Sequence, residues 1–126
     1  MNIDRIDHIV LTVASIDRTC EFYSKVLGMR IERFGEGRVA LRFGEQKINL
    51  HQIGSEFEPK ANRATAGSGD VCFITRMQME AVLAHLASCG VVLIEGPVTR
   101  TGALGPITSV YFRDPDLNLI EVARYA

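Results

Sequence analysis

From residue 6 to residue 13 the chain alternates. His8, Val10 and Thr12 fall on one side of an extended strand, and Asp7, Ile9, Leu11 and Val13 on the other. The period then changes to that of a helix. Ile16, Cys20, Tyr23, Val26 and Leu27 recur on one face, with Ser15 or Asp17 as the cap and Gly28 as the stop. Three short strands are expected next, at residues 30–34, 39–43 and 47–52, and Gly35, Gly37 and Gly44 suit the tight turns between them. The first half thus predicts β-α-β-β-β. A polar stretch over residues 54–68, with Pro59, Gly54 and Gly67, is a connector long enough to serve as a lid or linker. After it the pattern starts again. Residues 71–75 read as a strand, Met79, Val82, Leu83 and Leu86 as one helical face ending at Gly90, and residues 91–95, 108–113 and 119–124 as three more strands. A glycine- and proline-rich insert, residues 96–106, separates the first two of these.

The recurrence is an internal repeat. A step of 62 residues carries His8 onto Asp70 and the helix stop Gly28 onto Gly90. In the last strand of each half the step becomes 70, which lays Asn49-Leu50-His51 on Leu119-Ile120-Glu121. Two such units predict a continuous curved sheet with helices on the outside and a concave inner face. On this alignment His8 and Asp70 are equivalent, and so are His51 and Glu121. All four are candidate metal ligands or acid–base groups, because an ionisable side chain on a central strand is unfavourable unless paired or coordinated. His85 falls on the polar side of the second helix and reads as a surface residue.

Composition narrows the partners. With 126 residues the chain is one domain, read as module one at about 4–53, a linker at about 54–68 and module two at about 69–126. Lys+Arg number 14 and Asp+Glu 15, a net charge of −1 that argues against nucleic acid or an anionic membrane as partner. No apolar run reaches the roughly 20 residues of a membrane span. Cys20, Cys72 and Cys89 are too irregularly spaced for a disulfide framework or a zinc knuckle; reduced, mostly core cysteines in a cytoplasmic protein are expected. The DPDLN stretch, residues 114–118, is a turn signal leading into the last strand.

The opening DHIVLTV, the helix end FYSKVLGM and the closing YFRDPDLNLIEV resemble the glyoxalase / bleomycin-resistance / extradiol-dioxygenase superfamily, also called vicinal oxygen chelate proteins. INLHQIGSEFEPKA and RTGALGPITSVYFRDPD are similar to small stand-alone glyoxalase-domain proteins, some of them labelled virulence proteins. The resemblance implies an α+β fold of two βαβββ modules forming an open, cup-shaped mixed β-sheet, an incomplete barrel with helices outside. It also implies a divalent ion (Ni, Co, Mn, Fe or Zn) in the cup. His8 matches the family's first-strand histidine and Glu121 its last-strand glutamate. Asp70 stands where many members have His or Glu, and His51 or Asn49 on the last strand of module one. The implied activity is a metal-dependent lyase or isomerase acting on a small oxygen-rich substrate, such as the hemithioacetal of a 2-oxoaldehyde, with Glu121 or Asp70 as base. Asn49, Arg100, Lys60 and Arg63 are candidate substrate-binding residues, and a homodimer is expected. The alternatives are a resistance-type thiol transferase, a metal-dependent isomerase or dioxygenase of the same superfamily, and a binding protein without catalysis.

Overall fold

The computed structural model describes residues 1–126 and divides into two compact units, Met1–Gly67 and Ser68–Ala126. In the first unit the order is β1 (His8–Val13), α1 (Ile16–Leu27), β2 (Arg30–Phe34), β3 (Arg38–Phe43) and β4 (Gln46–Gln52). Helix α1 starts where the Ser15 hydroxyl accepts from the Arg18 amide at 3.2 Å. It stops at Gly28, which adopts the left-handed φ of 67° that a side chain disfavours. Its buried stripe of Thr19, Cys20, Tyr23 and Val26 lies against β2, β3 and β4. The sheet order is β1-β4-β3-β2, with β1 parallel to β4 and the other pairings antiparallel. One face carries Leu11, Val13, Val39, Leu41, Ile48 and Leu50, all buried. The other carries His8, Asn49, His51, Arg38 and Lys47, the polar set that alternation places opposite.

The second unit repeats the plan: β5 (Asp70–Ile74), α2 (Met79–Ser88), β6 (Glu95–Gly102), β7 (Gly105–Arg113) and β8 (Leu119–Tyr125), in the sheet order β5-β8-β7-β6. Helix α2 buries Val82 and Leu86. The apolar face of this sheet is formed by Val110, Phe112, Ile120 and Val122, all buried. The DPDLN turn closes the unit like a clasp. Asp114 Oδ1 accepts from the amides of Asp116 and Asn118, both at 2.9 Å. Its Oδ2 accepts from Asn118 Nδ2 at 2.8 Å, while Asn118 Oδ1 accepts from the Gly69 amide at 2.7 Å. The start of β8 is thereby fastened to the start of β5. Within this turn Leu117 is exposed and sits at φ 67°. Leu117→Gly is expected to leave the melting temperature unchanged or raise it, by up to about 1 kcal/mol of stability, because glycine alone occupies that region without a Cβ penalty.

The structure departs from the expected pattern in three places. The sheet is not continuous: each unit closes its own four-stranded hydrogen-bonded set, and the strands do not form one sheet. The strand expected at residues 91–95 is a connection up to residue 94, in which Val92 and Ile94 are exposed, and only Glu95 is strand, as the first residue of β6. The insert at residues 96–106 is instead mostly strand, forming β6 and the tip of a β6–β7 hairpin. Glycine and proline disguised an edge strand, which tolerates Pro97 because its outer side has no ladder to serve. Among the cysteines only Cys20 is buried; Cys72 is exposed and Cys89 half-buried. No helix is long and apolar enough to cross a membrane.

Candidate active site

Strand parity builds the site in the second unit. β5 and β8 run parallel with Cys72 opposite Glu121, and β7 runs antiparallel to β8 with Tyr111 opposite Glu121. Paired residues face the same side, about 4.8 Å apart between strands, so the Glu121 carboxylate stands between a thiol and a phenol. Ser109, fully buried, donates its hydroxyl to Glu121 Oε2 at 2.5 Å. Arg100 on β6 pairs with Glu95 at 3.0 Å and lies 5.6 Å from the Tyr111 ring centroid. Cys72, Arg100, Tyr111 and Glu121 line a cavity of about 430 Å³ together with Ile107 and Tyr125. The cavity rim is held by the hairpin tip, where the Leu104 amide donates to the Tyr125 hydroxyl at 3.0 Å.

The electrostatics follow from this packing. Although the residue as a whole is exposed, the partial loss of water around its sulfur, then the charge of Glu121 and a hydrogen bond to it, push the Cys72 thiol up to about 11. Burial also raises the Tyr111 phenol, against the pull of the Arg100 guanidinium. At neutral pH both groups keep their protons and stand as donors beside a carboxylate. Alkylation of Cys72 by iodoacetamide is therefore expected to climb with pH towards about 11 instead of levelling near the ordinary thiol range. Glu121→Gln is expected to bring that profile to lower pH, and a displacement of about one pH unit makes the thiolate about tenfold more abundant at neutral pH. A profile that stays in place would contradict the contact.

The candidate ligands come together only in part. Asp70 opens β5 and pairs with Leu119, two residues from Glu121 on β8. The two carboxylates start about 8 Å apart at their Cα atoms, by strand geometry. In the first unit His8 pairs with Lys47. His51 lies four residues further along β4, about 13 Å at the usual rise per residue. His8 is exposed, with its Nδ1 2.8 Å from Asp7 Oδ2, and His51 is buried. The ladders also correct the repeat alignment: the step from Lys47 to Leu119 is 72, not 70, so Asn49 and not His51 is the counterpart of Glu121. Nowhere do three or more His, Cys, Asp or Glu side chains converge so as to hold a metal ion.

Of the expected substrate-binding residues, Arg100 lines the Glu121 cavity and Asn49 is buried in the first unit. Lys60 is exposed and stands 3.6 Å from Glu58, and Arg63 is exposed as well. Cys72, Ser109 and Tyr111 were not singled out from the sequence as functional residues. The signal that finds them is parity: Ser109 and Tyr111 alternate with the apolar Val110 and Phe112, which places them on the Glu121 side of β7.

Three comparisons bear on this arrangement. The family model described as Glyoxalase/Bleomycin resistance protein/Dioxygenase superfamily matches residues 5–122. The virulence protein STM3117 of Salmonella typhimurium is 55% identical over 99% of this chain and 87% of its own length. Its crystal structure has a TM-score of 0.98, covering 100% of each chain. The glyoxalase domain-containing protein RDO1 of Mycosarcoma maydis is 50% identical over 99% of this chain and 70% of its own. More distant likeness, of fold alone, extends to the lactoylglutathione lyase of Agrobacterium tumefaciens, with a TM-score of 0.75 at 20% identity, covering 98% of this chain and 96% of that one. It extends also to the fosfomycin resistance protein FosX of Mesorhizobium loti, with a TM-score of 0.65 at 14% identity, covering 99% and 95%.

Proposed function

Because this chain belongs to the Glyoxalase/Bleomycin resistance protein/Dioxygenase superfamily, we propose that it is an enzyme acting on a small oxygen-rich molecule held against Glu121 in the second unit's cavity. The observation that carries the reading is a single carboxylate set among Ser109, Cys72 and Tyr111 on the wall of that cavity. The chemistry suited to it is lyase or isomerase work on the hemithioacetal of a 2-oxoaldehyde. Glu121 takes the proton from the carbon next to the carbonyl, the C–H electron pair forms the carbon–carbon double bond of an enediolate, and the same carboxylate returns the proton to the neighbouring carbon while the hydroxyl proton of the hemithioacetal passes to the former carbonyl oxygen, leaving a thioester carbonyl. Arg100 and the Tyr111 hydroxyl face the developing oxyanion, in a cavity where water is partly displaced and their charge and dipole act at short range. Ser109 positions the carboxylate.

The superfamily's divalent ion is the finer part of this reading. We read such an ion, with His8, Asp70 and Glu121 as its candidate ligands, together with a homodimer, as the superfamily implies, and the steps above do not depend on one. The test is twofold. Purified, metal-supplemented protein is expected to turn over the methylglyoxal–glutathione hemithioacetal; inactivity there, with activity in a panel of epoxides and thiols, moves the protein to the thiol-transferase reading. Inactivity in both moves it to a binding protein without catalysis. Elemental analysis decides the ion: metal in stoichiometric amount, lost in His8→Ala, Asp70→Ala and Glu121→Ala but kept in His51→Ala, supports it. Metal unchanged by all four substitutions removes it.

A further inference from the structure

The first unit holds a feature that the Glu121 cavity leaves unused. On β4, Asn49 is 6% exposed and His51 is 3% exposed, and Asn49 Oδ1 and both ring nitrogens of His51 have no hydrogen-bond partner. Buried polar atoms are nearly always satisfied, and an orphan carries the full penalty of its lost hydration. Here three orphans lie on one face, two residues apart on one strand, a spacing of about 6.6 Å that one small molecule spans. Burial and the nearby Arg38 cation hold the imidazole neutral, against the opposing charges of Glu56 and Glu58, so one ring nitrogen donates and the other accepts.

The surroundings supply a charge. Arg38 stands on the same side of the sheet, two residues along β3 from Ala40, the partner of Asn49. Its guanidinium is stacked 4.7 Å from the centroid of Phe57 and 5.2 Å from that of Phe34. Phe57 also meets the His51 ring edge-to-face at 5.6 Å. Arg42 pairs with Glu32 and Lys60 with Glu58, whereas Arg38 has no carboxylate within ion-pair distance. A bare oxyanion such as sulfate suits Arg38 but not Asn49 Oδ1, which is an acceptor and needs a hydrogen. The ligand must bring both a negative charge and a hydroxyl.

We propose that this face of the first unit binds a small carboxylate with a hydroxyl on the adjacent carbon, the carboxylate on the Arg38 fork and the hydroxyl between Asn49 and His51. The planar guanidinium matches a carboxylate two bonds at a time. The hydroxyl, at once donor and acceptor, gives its hydrogen to Asn49 Oδ1 and accepts from the protonated ring nitrogen of His51, which serves two of the three orphans. The proposal does not rest on the activity proposed for Glu121.

The test uses the full chain with ¹⁵N-labelled histidine, whose three rings, His8, His51 and His85, report separately. Glycolate is the probe, and acetate is the matched carboxylate without the hydroxyl. Glycolate is expected to move the His51 ring signals in a saturable way, about tenfold more tightly than acetate, and to leave those of His8 and His85 in place. Arg38→Met, which keeps the packing stem, is expected to weaken glycolate by about tenfold or more. His51 signals unmoved by glycolate would show that only buried water serves these atoms, and the proposal fails. It fails equally if acetate matches glycolate, or if Arg38→Met binds as the parent does.

Discussion

Glu121→Gln is expected to lower turnover of the methylglyoxal–glutathione hemithioacetal by about 10²–10⁴-fold, the range that a general acid–base group supplies. The change removes basicity while keeping shape. The glutamine Oε1 still accepts the Ser109 hydroxyl that now reaches Glu121 at 2.5 Å, so the side chain keeps its place beside Cys72 and Tyr111. Loss of the proton acceptor falls on kcat, with KM little altered, because the carboxylate acts on the transition state more than on the bound substrate. The melting temperature is expected to stay within about 3 °C. A loss of less than about threefold would mean that Glu121 accepts no proton in the slow step. Asp70→Asn is the informative companion, since Asp70 is the carboxylate of β5 on that side of the sheet, displaced two residues from Glu121 in the ladder. It is expected to have the smaller effect.

Gly96→Ala is expected to destabilise the second unit by about 3–5 kcal/mol, from roughly 1–3 kcal/mol each for overpacking and for backbone strain. A Cβ at this position meets the Ser109 carbonyl oxygen at 2.4 Å and Val110 Cα at 2.9 Å, both backbone atoms that cannot turn aside. Gly96 also lies at φ 108°, where side chains are strongly disfavoured, at the register shift between Glu95 and Val98. Relief would require β6 to lift from β7, which carries Arg100 away from Tyr111 and opens the cavity. Gly105→Ala separates the two causes: φ is 131° there, yet nothing lies within 4 Å of the added carbon. Chemical denaturation of the two variants is expected to show Gly96→Ala as the more damaging by about 1–3 kcal/mol.

The first strand and first helix were legible because local physics alone decides them. His8 and Thr12 alternate with Ile9, Leu11 and Val13, and Ser15 and Gly28 bound α1 through their own hydrogen bond and φ. The turn at residues 114–118 was legible as a turn, but its tight burial, with Asp114 and Asn118 at 3% and 2% exposed, was not. What binds Asn118 is the Gly69 amide, 49 residues away. The edge strand β6 escaped because Gly96, Pro97 and Gly102 are local signs of a loop, overridden by pairing with β7. Gly102 in particular lies where a Cβ would sit 2.6 Å from the Tyr125 hydroxyl, so it serves close approach and not a turn.

Register was the decisive illegible quantity for the site. A two-residue change in the step between halves, from 70 to 72, keeps every side chain on its face and so leaves no trace in the alternation. It replaces His51 by Asn49 as the partner of Glu121 in the repeat. Cys72 was misjudged for a related reason. Its neighbours Val71 and Phe73 suggest a buried strand, whereas β5 is a short edge strand whose other face is open.

Every catalytic step proposed above requires the small molecule to bind at the open face of the second unit, around Glu121. Amide chemical-shift mapping of the ¹⁵N-labelled chain with S-lactoylglutathione, the product of the proposed reaction, decides whether it does. Saturable shifts are expected to gather at Cys72, Arg100 to Ala103, Tyr111 and Glu121, the residues that line one cavity. Shifts that are absent, or that gather in the first unit, would overturn the proposed site.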